Sequence, residues 1–162
     1  LSPAAAERAS SGAAAVSDEV VAAAGRGDEA AVLVWLDSGG RADATYERDG
    51  LSGLTLLMGA ANNGHERVVE MVLRGGAEVN LQNSSGWTAL MMAAFQGHER
   101  VVELLLQHGA EVNLPRSDGV TALMSAAYSW SDGSTALMSA AYSGHPAIVL
   151  RLLRAGADTK AR

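Results

Sequence analysis

The motif G-x-T-x-L-M occurs three times, as Gly53-Leu54-Thr55-Leu56-Leu57-Met58, Gly86-Trp87-Thr88-Ala89-Leu90-Met91 and Gly119-Val120-Thr121-Ala122-Leu123-Met124. The leading glycines stand 33 residues apart each time. A second stretch keeps the same beat: residues 62–82 (NNGHERVVEMVLRGGAEVNLQ) align without gaps to residues 95–115 (FQGHERVVELLLQHGAEVNLP). A strict period of this length is the mark of stacked supersecondary units, and it restricts the fold more than any other feature of the chain. Composition then favours helical units. Apolar residues make up 48% of the chain but aromatics only 4%, so the core must be built from Ala, Val, Leu and Met, which suit close helix packing. The eighteen glycines read as punctuation between helices.

Within the unit, Thr55, Thr88 and Thr121 each precede a run of small and apolar residues ending in Ala-Ala. A hydroxyl at that position caps the first turn of a helix. Gly64-His65 and Gly97-His98 then break the chain. In ERVVEMVLR, Val68, Val69, Val72 and Leu73 fall on one stripe with charges opposite, the pattern of an amphipathic second helix. Gly75-Gly76 and His108-Gly109 stop it, since glycine accepts the left-handed conformation beyond a helix C-terminus. The unit is therefore helix, tight turn, helix, polar loop. Helices of about 8–10 residues are too short to stand alone in water. Each must bury its stripe against its neighbours, so stability is shared along a stack.

A 33-residue unit carrying G-x-T-x-L…A-A-x-x-G-H…V-V…L-L…G-A-[DE]-V-N resembles the ankyrin repeat, and the resemblance runs over residues 18–162. It implies an all-α ankyrin-repeat solenoid of helix–turn–helix units with β-turn or finger loops. The repeats fall at about 18–49, 50–82, 83–115 and 116–162, after an Ala/Ser-rich N-terminal arm at 1–17. The family usually reads T-P-L-H where this chain reads T-[AL]-L-M, so Met58, Met91, Met124 and Met138 are expected to fill the space with an adaptable apolar side chain. The Asn of each E-V-N, Asn80 and Asn113, is implied to stabilise its loop; in this family it can also be a target of asparaginyl hydroxylases.

The first unit is degenerate. Asp18 stands where Thr55 would be and is expected to cap the first helix. The loop after Asp43 carries four extra residues, a longer finger holding Tyr46, Glu47 and Arg48. In the last unit Arg151 replaces Leu104. If Leu104 faces the next repeat, this substitution gives a capping repeat its polar outer surface. Leu150, in place of Glu70 and Glu103, is expected to be a stray surface leucine, a contact being the alternative.

The fourth unit also writes TALMSAAYS twice, from Thr121 and from Thr135, as an in-frame tandem duplication of fourteen residues. Both copies spell a first helix for one slot. The turn into Gly144-His145 is the tighter geometric demand, and a long loop insertion costs little. Residues 135–142 are thus expected in the stack and residues 121–134 in a long finger, the opposite assignment being the alternative.

For function, no Ser-His-Asp order, HExxH, glycine-rich phosphate loop or EF-hand pattern is present. Three of the four histidines sit in the repeating turn or its equivalent, where a structural role is expected. No enzyme activity, cofactor or metal is expected. A net charge of −6 without a Lys/Arg cluster argues against nucleic acid, and no apolar run reaches the roughly 18–20 residues of a membrane span. The absence of cysteine fits a reducing compartment, so a soluble intracellular protein is expected, in the cytoplasm or, after removal of a targeting segment before Leu1, in an organelle.

The resemblance implies that loop tips and the exposed ends of the first helices bind one or more proteins. Carried over by position, these are Leu51, Leu54, Asn62 and Asn63, then Ser84, Ser85, Trp87, Phe95 and Gln96, then Asp132 and Tyr142, with Tyr128 in the spare copy. Of seven aromatics only Trp35 falls on a core-like position. Tyr46 and Trp130 sit in finger extensions, and aromatics are the commonest interface anchors. The expected role is a non-enzymatic interaction module, monomeric alone or a fixed subunit of a hetero-complex. The alternative is a regulatory or substrate-recruiting part of a longer protein whose catalytic part lies elsewhere.

Overall fold

The computed structural model describes residues 16–116, 118–121 and 145–157. Short helices alternate as the period requires: α1 (Asp18–Arg26), α2 (Glu29–Asp37), α3 (Leu56–Asn63), α4 (Glu66–Arg74), α5 (Ala89–Gln96), α6 (Glu99–Gln107) and α7 (Pro146–Arg154). First helices α1, α3 and α5 pack one on the next, and second helices α2, α4, α6 and α7 form a parallel row behind them. One continuous core runs between the rows. Leu56, Leu57, Met58, Leu90 and Met91 fill it from the front, and Val68, Val69, Val101, Leu105, Ile148 and Leu152 from behind. Met58 and Met91 are fully buried, as expected of the residues that stand in for the family's His.

Local chemistry sets the helix ends. Thr55 Oγ1 accepts from Met58 N at 3.2 Å and Thr88 Oγ1 from Met91 N at 3.2 Å, so the threonines cap as expected. Thr88→Ala is expected to cost about 1–2 kcal/mol of stability by denaturant titration, because both the threonine and the amide it satisfies are buried. The first unit departs from expectation. Ser17, not Asp18, occupies the N-cap, and Asp18 lies inside the first turn, where its carboxylate complements the helix dipole.

The repeats are joined by a glycine–histidine seat. Gly27, Gly64 and Gly97 end the first helices with φ of 77°, 76° and 81°. The histidine of the next repeat lies where a side chain would begin: a Cβ at Gly27 would stand 2.7 Å from the His65 ring, and one at Gly64 2.7 Å from the His98 ring. His65 Nε2 donates to Gly25 O at 2.8 Å and His98 Nε2 to Asn62 O at 2.9 Å. A carbonyl can only accept, so both rings carry their proton on Nε2. The histidines thus have the structural role expected of them. Asn80 likewise ties loops: its Oδ1 accepts from Glu111 N at 2.8 Å, and Asn113 Nδ2 donates to Gly156 O at 3.1 Å.

The long first finger is a two-stranded antiparallel hairpin, β1 (Thr45–Arg48) and β2 (Leu51–Thr55). The two-residue turn Asp49-Gly50 has positive φ at both positions, 53° and 79°, which matches the right-handed twist of a hairpin. The next finger hangs on β2, with Ser84 N donating to Ser52 O at 2.9 Å and Ser52 N to Ser84 Oγ at 3.0 Å.

The second-helix row corrects the reading of its end. Met71 of α4 shares a groove with Leu33 and Leu36 of α2, so its position looks back at the preceding repeat. Arg151 holds the same position in α7 and pairs backwards with Glu103 of α6 at 3.4 Å. Arg151 is therefore a link in the stack and not a polar outer cap. The position that looks forward at this end is Leu150, 54% exposed, and at the other end Val34 looks outward, 68% exposed. The duplicated segment's expected placement falls on residues outside those described.

Candidate functional site

A groove of about 430 Å³ runs between the first helices and the fingers. Three successive repeats build it. Val21 and Gly25 come from α1; Tyr46, Arg48, Asp49, Leu51 and Leu54 from the hairpin; Met58, Gly59, Asn62 and Asn63 from α3; Asn83 and Trp87 from the second finger; and Met92, Phe95 and Gln96 from α5. The 33-residue period is what brings side chains so far apart in sequence to one wall.

Aromatic geometry dominates the far end. Trp87 and Phe95 meet edge to face, with centroids 5.8 Å apart and planes at 82°. This is the arrangement that the ring quadrupoles favour. The Arg116 guanidinium lies over the Trp87 ring at 4.6 Å, and Trp87 is half-buried. Phe95 stays 40% exposed. At the near end Tyr46 reaches down from β1 onto α3, where a Cβ on Gly59 would stand 3.1 Å from its hydroxyl oxygen. A glycine inside a helix costs about 1 kcal/mol relative to alanine, and here it admits the phenol. Burial raises the Tyr46 pKa above its ordinary value, while Arg48, 5.7 Å from the ring, opposes the rise. The phenol is thus neutral at physiological pH.

Amides line the lip. Gln96 Nε2 donates to Asn62 Oδ1, Asn62 Nδ2 to Asn63 Oδ1 at 3.3 Å, and Asn63 Nδ2 to Gly25 O at 3.0 Å. The chain of donors crosses all three repeats. Asn83 sits behind the hairpin, its Oδ1 accepting from Ser85 N and Trp87 N, both at 3.0 Å.

Eight residues singled out from sequence meet in this groove: Tyr46, Leu51, Leu54, Asn62, Asn63, Trp87, Phe95 and Gln96. Ser84 and Ser85 are not part of its lining; Ser84 serves the finger-to-finger bonds and Ser85 N the turn. Tyr128, Trp130, Asp132 and Tyr142 lie outside the described residues. Sequence reasoning missed Arg48, Asp49, Gly59, Asn83 and Met92 as groove residues. The Asp-Gly pair before an apolar run was the available signal for the hairpin that carries the first two.

Comparison with protein families matches residues 20–116 and 57–132 to ankyrin repeats in three copies, and residues 132–162 to the single ankyrin repeat. The chain belongs to the ankyrin repeat family. Such repeats are generally protein–protein interaction modules and are typically non-catalytic. No curated protein matches the chain. Among the described residues no helix is long and apolar enough to cross a membrane.

Proposed function

We propose that this chain is a non-enzymatic protein-binding module, a scaffold or linker subunit of a larger assembly, and that the groove between first helices and fingers is its contact surface. The observation that carries this reading is the Trp87–Phe95 pair. The Arg116 guanidinium stacks over its Trp87 ring, and the pair presents Phe95 to solvent inside an open, largely apolar groove. A rigid aromatic loses little conformational freedom on binding, which is why such residues dominate interface energetics. The amides of Asn62, Asn63 and Gln96 supply a polar rim beside it.

Pull-down with the wild-type chain against the Trp87→Ala/Phe95→Ala variant tests this. Recovery of a partner is expected to fall by more than about tenfold, since central aromatic anchors commonly contribute 2 kcal/mol or more. A variant carrying Val34→Ser on the second-helix row is expected to recover it normally. Equal recovery by the groove variant sinks the reading.

A further inference from the structure

Neighbouring second helices meet edge to edge, and the described junctions show which positions pair. Between α2 and α4, Leu33 and Leu36 share one groove with Met71, and Glu29 lies 3.9 Å from Arg67. Between α4 and α6, Glu66 lies 3.9 Å from Arg100. Between α6 and α7, Glu103 lies 3.4 Å from Arg151. With the helices aligned on their first residues, the positions of Glu29, Leu33 and Leu36 look forward along the row, and those of Arg67 and Met71 look back. Two edges have no such junction among the described residues: Ala30 and Val34 on the backward side of α2, and Pro146, Leu150 and Leu153 on the forward side of α7. Both edges lack the charges that the internal junctions use. Ala30 stands where Arg67 and Arg100 stand, and Pro146 where Glu29 and Glu66 stand. Leu150 takes the place of Glu103, and Val34 that of Arg151. Four large apolar side chains are exposed among the described residues, and three of them, Leu33, Val34 and Leu150, occupy this one pair of positions. A single exposed leucine carries no meaning by itself. Here apolar residues stand at both halves of one pairing.

We infer that the chain stacks head to tail on a second copy of itself, the Pro146, Leu150 and Leu153 edge of one copy against the Ala30 and Val34 edge of the next. The contact continues the row of second helices with the pairing the internal junctions already use. Charge is complementary across it: α2 carries Glu29 and Asp37 and no cation, while α7 carries Arg151 and Arg154 and no anion. Arg154 of one copy meets Asp37 of the next, since the residues at these positions in α2 and α4, Asp37 and Arg74, line one groove. The net charge of −6 on each copy opposes association. At physiological salt charges beyond about 8 Å are largely screened, so the facing ends govern the contact. One helix edge from each copy is a small contact, in the class of transient interfaces below about 1,200 Å². The stacked form therefore fills in concentrated solution, and the dilute chain is single. A heterologous contact of this kind does not close on itself in a pair, so each stacked copy leaves one edge free for another.

Sedimentation velocity of the wild-type chain, Leu150→Glu and Val34→Glu tests this. The weight-average mass of the wild type is expected to rise by about half or more between about 10 and 500 µM, the range of a weak contact. Each variant alone is expected to stay monomeric, because each has one spoiled edge and no intact edge left to meet. An equimolar mixture of the two is expected to form a dimer and nothing larger, since the intact forward edge of Val34→Glu fits the intact backward edge of Leu150→Glu. Both positions are exposed, and glutamate already stands at the Leu150 position in α4 and α6, so both variants are expected to fold; thermal melts by circular dichroism check it. Trp87→Ala/Phe95→Ala is expected to associate as the wild type does. A wild-type chain that stays monomeric throughout shows that the two edges are free or are covered by something other than a second copy, and overturns the inference. Association lost in only one of the two edge variants, retained in both, not restored in the mixture, or lost in the groove variant places the contact elsewhere and overturns it as well.

Discussion

Gly64→Ala is expected to lower the unfolding free energy by about 2–5 kcal/mol, far more than alanine costs at most surface positions. Two terms add. Gly64 has φ of 76°, and a Cβ in that left-handed region costs about 1–2 kcal/mol. That Cβ would also stand 2.7 Å from His98 Nδ1 and 2.8 Å from Cε1. The ring cannot simply swing away, because its Nε2 is held on Asn62 O at 2.9 Å. Forcing extra volume into such a seat costs about 1–3 kcal/mol more. Gly109 separates the two terms: its φ is 84°, but nothing lies within 4 Å of its Cβ position. Gly109→Ala is therefore expected to cost only about 1–2 kcal/mol. Urea titrations of both variants measure the difference. His98→Ala in the Gly64→Ala background removes the clash, so the double variant is expected to be more stable than the sum of the single losses. Strict additivity would mean that the seat does not couple the repeats.

Leu90→Ala should lower stability by about 2–5 kcal/mol, the range for deleting a well-packed leucine side chain. Leu90 is 1% exposed in the middle of the stack, on a first helix packed between its own second helix and its neighbour repeat. A solenoid distributes stability over nearest-neighbour interfaces. A cavity there weakens the central unit and the interface it supplies. Val34→Ala, at a position 68% exposed, is expected to change stability by less than about 0.5 kcal/mol. A Leu90→Ala loss as small as that of Val34→Ala would mean that the core does not bear the stack.

The helical stack was legible because its determinants are local and periodic. A threonine cap, a glycine at positive φ and a Val/Leu stripe each declare themselves within a few residues, and the period repeats them. The groove's aromatics were legible for a related reason: Trp87 and Phe95 occupy positions that the repeat leaves free. What stayed hidden depends on distance across the fold. Gly59 looks like a flaw in a helix until Tyr46, from another element, is seen to need the room. Asn83 looks like an ordinary turn residue, since burial and an unanswered Nδ2 are not written in its neighbours. The direction of Arg151 was misread because periodicity says which residues share a face, but not which neighbour that face meets. The ion pair with Glu103 supplies that answer.

The most direct measurement places a photo-crosslinking phenylalanine analogue at Phe95 in one variant and at Val34 in another. Both positions are open to solvent, one in the groove and one at the outward end of the second-helix row. If first helices and fingers form the contact surface, the Phe95 probe captures the partner and the Val34 probe does not. Capture from Val34 alone, with Phe95 silent, would contradict the account.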